Sequence, residues 1–257
     1  MATIYSISNQ KGGIGKTTTA QAMANGLNRK GYKTLLIDLD PQGNLSLSMG
    51  ADPMQITIYE AIEGKATAAD TIQHTDQGDI IPSNIMLSGA DMELNARTTG
   101  REYALKELIS PLKALYDYIV IDTAPSLGIL TINSLTAADR VIIPLSADIF
   151  SIAGLGQLYN TINSVIKYTN AGLKVEGILL TKFNERTILN RDLKAAIEET
   201  AAKLHTKLFS TYIREGVAIR EAQAQETSIF DYAPGSNPAI DYSDFISELL
   251  GEGPKNG

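Results

Sequence analysis

The feature that most constrains the fold is a glycine-rich segment near the start of the chain. Residues 8–19 read Ser8-Asn9-Gln10-Lys11-Gly12-Gly13-Ile14-Gly15-Lys16-Thr17-Thr18-Thr19. An apolar run at residues 4–7 precedes this segment, and residues 20–27 have the pattern of a helix. A strand, a glycine-rich turn and a helix whose first turn holds Lys and Thr form the setting of a phosphate-binding loop. The alternative is a structural turn before an ordinary helix, and the Gly-Lys-Thr sequence favours the loop.

Such a loop assigns expected roles to its residues. Glycines allow consecutive backbone N–H groups to point at an anion, and the helix N-terminus adds partial positive charge. We expect Lys16 to contact the β- and γ-phosphates of a nucleotide and the Thr17 hydroxyl to bind Mg²⁺. The expected nucleotide-binding residues of the segment are Lys11, Gly12, Gly13, Ile14, Gly15, Lys16, Thr17 and Thr18.

A second lysine distinguishes this loop from the standard pattern. The standard loop has Gly six residues before its lysine, whereas this chain has Gln10 there and Lys11 ahead of the glycines. Two lysines carry more positive charge than one triphosphate in a monomer usually needs. One interpretation is that Lys11 reaches the nucleotide of a second subunit, as an arginine finger does. The alternative is a solvated surface lysine.

Two later strands are predicted to end in carboxylates. Residues 33–40 begin as a buried strand, include Asp38 and Asp40, and continue into Pro41-Gln42-Gly43-Asn44, while a second apolar strand ends at Asp122. Because open parallel α/β sheets bind ligands at the carboxyl ends of their strands, we expect these carboxylates near the loop. One of Asp38 and Asp40 would hold a water on Mg²⁺ and the other would orient the attacking water; a plain capped turn is the alternative. Asp122 fits a Walker B carboxylate beside Mg²⁺.

Apolar runs alternate with helical patterns along the rest of the chain. Further strands are predicted at residues 79–82, 140–145 and 175–181, and helices at residues 56–62, 101–115, 152–168, 189–204 and 242–250. This alternation predicts an α/β fold with a mostly parallel, twisted sheet and helices on both faces. The sequence shows no linker, repeat or low-complexity tract, so we expect residues 1–257 to form a single domain.

Composition limits the classes of function. The chain has no cysteine, which excludes disulfides, thiolate metal sites and cysteine nucleophiles. It has no signal-peptide pattern and no long apolar run, so we expect a cytoplasmic protein. The net charge of −7 argues by itself against nucleic acid as a partner. Residues 182–220 nevertheless hold eight basic and five acidic residues, and a polyanion responds mainly to charges within about 8–10 Å.

Three motifs together resemble those of one family. They are Lys11-Gly-Gly-Ile-Gly-Lys16-Thr-Thr, Asp38-Leu-Asp40-Pro-Gln-Gly-Asn and Ile121-Asp122-Thr-Ala-Pro-Ser-Leu-Gly, in the family's order. They resemble the deviant-Walker P-loop ATPases, and within that group they are most similar to the ParA/Soj DNA-segregation ATPases. Residues 130–139, 143–144 and 177–181 match as well, so the resemblance covers most of the chain.

The resemblance implies slow ATP hydrolysis that acts as a switch. In the family, an ATP-bound sandwich homodimer binds DNA without sequence preference, and a ParB-type partner stimulates hydrolysis and release. By resemblance, the catalytic residues are Lys11, which contacts the partner subunit's nucleotide, Lys16, and Asp40, which positions the hydrolytic water. The magnesium site would consist of Thr17, Asp38 and Asp122, and Asn184 would read the adenine. ATP and Mg²⁺ are the expected ligands, and the nucleoid is the expected location.

Nonspecific DNA binding requires basic side chains that displace counterions. The candidates are Arg186, Arg191, Lys194, Lys203, Lys207, Arg214 and Arg220. A solvated helix face is the alternative for each. The family's usual Ile-Pro-Arg-Asn-Val-Arg-Leu-Ser-Glu-Ala-Pro is replaced at residues 213–223 by Ile-Arg-Glu-Gly-Val-Ala-Ile-Arg-Glu-Ala-Gln, so two arginines stand at shifted places. Because the loop begins so near the first residue, we expect no N-terminal helix-turn-helix domain and no autorepression.

Two other classes of protein share this loop. A membrane-cycling positioning ATPase of the MinD type needs a basic amphipathic C-terminal helix, whereas residues 246–257 hold two acidic residues and one basic residue. We therefore expect no membrane partner. An ATP-dependent ligase is compatible with the composition, but the sequence shows no evident site for its substrate.

Overall fold

A seven-stranded sheet organises residues 1–252, which are the residues that the structure, a computed structural model, describes. Its strands are β1 (Thr3–Ile7), β2 (Thr34–Leu39), β3 (Gln73–Thr75), β4 (Gly78–Ile81), β5 (Tyr118–Thr123), β6 (Arg140–Ser146) and β7 (Lys174–Thr181). Their order across the sheet is β3-β4-β2-β5-β1-β6-β7. All neighbours are parallel except β3 and β4, which are antiparallel. The predicted mostly parallel sheet is confirmed.

Helices connect these strands and cover the sheet. They are α1 (Lys16–Arg29), α2 (Asn44–Ser48), α3 (Ile58–Ile62), α4 (Leu87–Ala96), α5 (Ala104–Ile109), α6 (Ile129–Ala137), α7 (Ile149–Tyr168), α8 (Ile188–Lys203), α9 (Val217–Ala224), α10 (Ile229–Tyr232) and α11 (Asn237–Leu249), with 3-10 turns at Ala69–Thr71 and Ser110–Ala114. Within residues 1–252, none of the helices has the length and hydropathy needed to span a bilayer. Residues 253–257, whose charges enter the comparison with MinD-type proteins, lie outside the described residues.

Two hydrophobic clusters lie on opposite faces of the sheet. Leu35 and Ile119 belong to the cluster that also contains residues of α3 to α7, while Leu36 and Val120 belong to the cluster that contains residues of α1 and α11. Successive strand residues point to opposite faces, so both faces of the central strands are buried. This explains why β2 and β5 are continuous apolar runs, as expected for a parallel sheet covered on both sides.

Some predicted helices differ from the observed ones. The helix predicted at residues 101–115 is wrong as one continuous element: α5 ends at Ile109 and the 3-10 turn Ser110–Ala114 follows. Pro111 lacks an N–H group and its ring opposes the carbonyl four residues earlier, which ends an α-helix. The terminal helix begins at Asn237 rather than at residue 242, because Ser236 caps it and Pro238 occupies its first turn.

The strand order brings the candidate site together. The glycine-rich segment follows β1, which lies between β5 and β6. In register, Asp122 of β5 is opposite Ile7 of β1 on one side and Asp38 of β2 on the other. The carboxyl ends of these three adjacent strands therefore place both carboxylates directly beside the segment.

Candidate nucleotide-binding site

The glycine-rich segment forms an open loop between β1 and α1. Gly13 and Gly15 have φ values of 72° and 88°, a left-handed conformation that glycine adopts without steric cost. Gly15 is the N-cap residue of α1. Apart from Gly13 and its two chain neighbours, no atom of residues 1–252 lies within 4 Å of the position that a Cβ on Gly13 would occupy. The loop therefore presents its backbone to an open space.

A cavity of about 630 Å³ lies over this loop. The residues expected at a nucleotide that line it are Gly12, Gly13, Gly15, Lys16, Thr17, Thr18 and Asp40. Ile14 has 2% of its surface exposed and belongs to the protein interior. Ligand pockets generally have volumes of about 300–1,000 Å³, so the cavity has the size required for a nucleoside triphosphate.

Lys16 supplies a buried positive charge at the start of α1. Its side chain donates a hydrogen bond of 2.9 Å from Nζ to the carbonyl oxygen of Lys11. Burial lowers the pKa of Lys16, and the nearby Asp122 and Asp40 carboxylates oppose this shift. The ammonium group thus lies between the loop and the carboxylates.

Asp122 is the least satisfied polar group of the site. Its side chain is fully buried, and within residues 1–252 neither carboxylate oxygen has a hydrogen bond of regular geometry. Burial raises the pKa of Asp122 and the charge of Asp38 raises it further, while the Thr17 hydroxyl and Lys16 act in the opposite direction. An unpaired buried carboxylate is unfavourable by several kcal/mol. A cation beside Asp122 and Thr17 would offset that free energy, so these residues fit a magnesium ion.

Asp38 differs from Asp122 because its oxygens already have partners. It accepts hydrogen bonds from the Ser46 N–H at 2.9 Å, the Ser46 hydroxyl at 2.7 Å and the Asp40 N–H at 3.0 Å. Burial nevertheless raises the pKa of Asp38 to about 6, with these hydrogen bonds opposing the shift. Asp38 therefore holds the start of α2 and the backbone of Asp40. Asp40 lines the cavity, whereas Asp38 does not.

Lys11 is not among the residues that line the cavity, and it joins a polar group that we call the Lys11 cluster (Lys11, Ser146, Asp148 and Ser151). Its Nζ donates to Asp148 Oδ2 at 2.7 Å and to Ser151 Oγ at 3.1 Å. Asp148 also accepts hydrogen bonds from the Ser146 hydroxyl at 2.6 Å and the Ser151 N–H at 2.9 Å. Lys11 and these hydroxyls hold the pKa of Asp148 well below its usual range against the effect of burial. Lys11 is therefore an ion-paired residue in this conformation.

Asn184 lies outside the residues that line the cavity. Its side-chain oxygen accepts a hydrogen bond of 3.0 Å from the Arg186 N–H, and the residue is exposed. Its neighbours Thr181 and Lys182 line the cavity instead. The sequence interpretation did not single out these two residues or Asp148. Two sequence signals could have identified them. Thr181 and Lys182 stand at the polar end of a strand, and Asp148 stands directly before a helix.

The seven candidate DNA-binding residues divide into two groups. Four form ion pairs: Lys194 with Glu185, Lys203 with Glu199, Lys207 with Glu176, and Arg214 with Asp241. The other three, Arg186, Arg191 and Arg220, form no ion pair with any residue in the described part of the chain. Arg220 lines the nucleotide cavity.

The ion pair of Arg214 is a structural contact. Its guanidinium group makes bonds of 2.6 and 3.0 Å to the two oxygens of Asp241, whose side chain is only 8% exposed. The Arg214 N–H also donates to the same carboxylate. This bidentate contact fixes the segment between α8 and α9 against α11.

Comparisons with known proteins agree with this geometry. The profile of a protein family described as "AAA domain" matches residues 2–175. The sporulation initiation inhibitor protein Soj of Bacillus subtilis is 39% identical over 257 residues, which cover 98% of this chain and 100% of Soj. The chromosome partitioning protein ParA of Myxococcus xanthus is 38% identical over 251 residues, which cover 96% of this chain and 87% of ParA.

A solved structure shares both the fold and part of the sequence. It is that of cobyrinic acid a,c-diamide synthase from Mycobacterium smegmatis with bound ADP and magnesium. The TM-score is 0.85 at 36% identity, with 97% of this chain and 94% of that protein covered. The loop, its two lysines and the full-length likeness to Soj and ParA lead to one conclusion: this chain belongs to the ParA/Soj family of P-loop ATPases.

Proposed function

We propose that this chain is an ATP-dependent DNA-partition switch formed by a single domain. It binds ATP with Mg²⁺, forms a homodimer in the ATP state, binds double-stranded DNA without sequence preference and hydrolyses ATP slowly. The observation that carries this proposal is the unpaired, fully buried carboxylate of Asp122 beneath an open glycine-rich loop. Such a carboxylate is stable as an anion only when a cation lies close to it.

The residues of the cavity can bind and orient the nucleotide. The loop N–H groups and Lys16 would bind the phosphates, and the Thr17 hydroxyl and the buried Asp122 would hold Mg²⁺. When bound, Mg²⁺ neutralises charge that develops on the phosphate oxygens. Asp40 accepts a hydrogen bond from the attacking water, and Asp38 keeps Asp40 in place through the Asp40 N–H. The ADP and magnesium bound to the M. smegmatis relative support this assignment.

Lys11 gives the switch its dependence on a second subunit. In one subunit, its ammonium group is held by Asp148, and neither residue lines the cavity. A triphosphate bound to a second copy offers a stronger anionic partner than one carboxylate. We infer that Lys11 leaves Asp148 and contacts the partner's nucleotide when two ATP-bound copies meet. The homodimer is therefore tied to the presence of the γ-phosphate.

We assign DNA binding chiefly to Arg186, Arg191 and Arg220, the three arginines that form no ion pair within residues 1–252. An arginine that already pairs with a carboxylate must give up that ion pair to bind a DNA phosphate. An arginine without an ion pair gives up no such contact, so it contributes more to the affinity for DNA. Dimerisation doubles the number of basic contacts and so raises the affinity for DNA steeply. Lys194, Lys203 and Lys207 contribute less, and Arg214 contributes through the fold.

The names of the relatives support the biological setting. Soj and ParA of the two bacteria above are named for roles in sporulation and chromosome partitioning. We propose that the ATP dimer associates with the nucleoid and that a ParB-like DNA-binding protein stimulates hydrolysis. Membrane association of the MinD type is the competing activity.

The first experiment measures DNA binding as a function of nucleotide. Fluorescence anisotropy of a labelled random-sequence duplex is recorded with ADP, with a nonhydrolysable ATP analogue and without nucleotide, each with Mg²⁺. We expect binding only with the analogue, falling steeply as salt rises. Lys16→Ala should abolish it, whereas Lys106→Ala, which removes an exposed lysine of α5, should not. Analogue-dependent binding by Lys16→Ala would overturn the site assignment.

A second experiment separates the switch from its competitors. ATP turnover is measured without any small-molecule co-substrate, and co-sedimentation with anionic liposomes is measured in parallel. The switch predicts slow turnover without a co-substrate and no sedimentation, a ligase predicts no turnover, and a MinD-type protein sediments with ATP. Asp40→Ala should slow turnover and prolong the dimer; unchanged turnover would show that Asp40 does not orient the water.

A further inference from the structure

Helix α9 forms part of the wall of the nucleotide cavity but buries little of its own surface. Ala222 is its one buried residue, so little apolar contact fixes its position. Arg220 and Gln223 of this helix line the cavity. They are three residues apart and therefore lie on the same face of the helix. The position of the Arg220 guanidinium group thus depends on how that face is held.

Gln223 joins this face of α9 to α1. Its side-chain amide donates hydrogen bonds of 3.4 Å to the Thr18 hydroxyl oxygen and of 3.4 Å to Gln21 Oε1. Thr18 and Gln21 lie one turn apart on α1, and Thr18 also lines the cavity. Both bonds are longer than the usual range of about 2.7–3.2 Å, so they hold α9 loosely in the ligand-free protein. The usual residue of the ParA/Soj family at position 223 is proline, which has no side-chain donor.

Further hydrogen bonds orient Gln21 and anchor the end of α9. The Gln21 amide donates to the Ser48 carbonyl oxygen at 3.1 Å and to Gln77 Oε1 at 3.0 Å, so its own Oε1 is left to accept from Gln223. Gln77, in the turn between β3 and β4, donates to the Glu226 carbonyl oxygen at 2.8 Å. Glu226 directly follows the C-cap residue of α9. The carboxyl end of α9 is therefore anchored, while the long contacts of Gln223 can still shorten.

We propose that Gln223 is a positioning residue that couples nucleotide binding to the Arg220 guanidinium group. This inference rests on the proposed function, since it requires a nucleotide in the cavity and DNA at Arg220. A phosphate oxygen bound at the amino end of α1 accepts the proton of the Thr18 hydroxyl. A hydroxyl that donates to an anion becomes a stronger acceptor, so the Gln223 amide moves closer to Thr18 and draws this face of α9 with it. Arg220 is then held in place for a DNA phosphate only while nucleotide is bound.

Hydrogen–deuterium exchange tests whether nucleotide acts on α9 through Gln223. Exchange is recorded with and without ADP and Mg²⁺, because ADP occupies the loop without the ATP-state dimer. The matched control is Gln225→Leu, at the exposed C-cap of the same helix. We expect ADP to slow exchange at residues 217–226 of the unmodified protein and of Gln225→Leu. In Gln223→Leu, which keeps the size of the side chain but has no amide, ADP should slow exchange at the loop but not in α9.

Three results of this experiment would overturn the inference. The first is equal slowing of α9 in Gln223→Leu and in the unmodified protein. The second is no slowing of α9 in an unmodified protein whose loop is protected by ADP. The third is loss of ADP binding by Gln223→Leu, because the inference places the effect of Gln223 on α9 and not on the loop. Thermal unfolding of each variant verifies that the chain is folded.

DNA affinity tests whether Gln223 acts through Arg220. Anisotropy of a labelled random-sequence duplex is measured with saturating nonhydrolysable ATP analogue for Arg220→Gln, Gln223→Leu and the double variant. We expect each single substitution to weaken binding about threefold to tenfold, and the double variant to bind no more weakly than Arg220→Gln, because the two residues act as a unit. Unchanged affinity in either single variant, or effects that multiply in the double variant, would overturn this inference alone. Failure of the unmodified protein to bind DNA with the analogue would overturn the proposed function as well.

Discussion

The Lys11 cluster predicts that one charge-removing substitution strengthens dimerisation. In the proposed switch, each subunit must release Lys11 from Asp148 before Lys11 can contact its partner's nucleotide. Asp148→Asn removes the negative charge that holds Lys11. Asparagine is also a favourable N-cap residue, so it can still accept the Ser151 N–H bond that begins α7. The substitution therefore weakens the ion pair without uncapping the helix.

The magnitude follows from the geometry of the pair. A hydrogen bond between charged groups contributes about 1.5–3 kcal/mol, but the two side chains are 38% and 34% exposed, and solvent screens the interaction. We therefore take about 1 kcal/mol for each subunit. Both subunits release one pair, so the ATP-state dimer should gain about 2 kcal/mol, which corresponds to an approximately 30-fold lower dissociation constant.

Analytical ultracentrifugation with Mg²⁺ and a nonhydrolysable ATP analogue measures this dissociation constant. Asp76→Asn is the matched control, because it changes the net charge equally at an exposed residue of the turn between β3 and β4. The control should dimerise as the unmodified protein does. If Asp148→Asn dimerises with the same or lower affinity than the control, Asp148 does not oppose the dimer and the reasoning is refuted.

Two further predictions concern the stability of the ligand-free protein. Asp122→Asn should raise the free energy of unfolding at pH 8 by about 2 kcal/mol, because it removes an unpaired buried charge, and should weaken Mg²⁺-dependent ATP binding. Because the pKa of Asp122 is raised in the folded state, the folded protein binds more protons than the unfolded one between about pH 4 and that raised pKa. The free energy of unfolding of the unmodified protein, measured with urea and compared with that of Asp122→Asn, should therefore fall as pH rises through the raised pKa. An Asp122→Asn variant that is less stable than the unmodified protein at pH 8 would contradict this. Gly177→Ala should destabilise the protein by about 1–3 kcal/mol, because its Cβ would lie 2.7 Å from the ring of the buried Phe209. Gly156→Ala on α7, where nothing lies within 4 Å, should be neutral or slightly stabilising, and equal effects at both sites would exclude packing as the cause.

The sequence predicts those parts of the site that depend on local spacing. Lys16 and Thr17 are adjacent to the glycines that shape the loop, and Asp122 ends an apolar strand, so their proximity follows from the parallel sheet alone. Asp148 and Lys182 could not be predicted in this way. Asp148 contacts the ammonium group of Lys11, and Lys182 contacts the carbonyl oxygen of Gly13. Both residues are distant from the loop in sequence, so only tertiary packing brings them to it.

Secondary structure shows the same division between local and tertiary information. Continuous apolar runs predict β2 and β5, because both faces of these strands are buried. It does not reveal α6 (Ile129–Ala137), which is buried on nearly all sides and so lacks the polar face that marks an amphipathic helix. The break at Pro111 was present in the sequence as a proline, but the apolar pattern on both sides of it predicted continuity.

The hydrogen bonds from Thr181 and Lys182 to the loop have a consequence for incomplete chains. Residues 1–175 contain the loop and both strand ends that carry the three carboxylates, yet the side chains that donate hydrogen bonds to the Gly13 and Ile14 carbonyls come from beyond them. A nascent chain that consists only of these residues would contain all three sequence motifs, but its nucleotide pocket would be incomplete. These two hydrogen bonds can form only after the chain beyond residue 175 has folded against the loop.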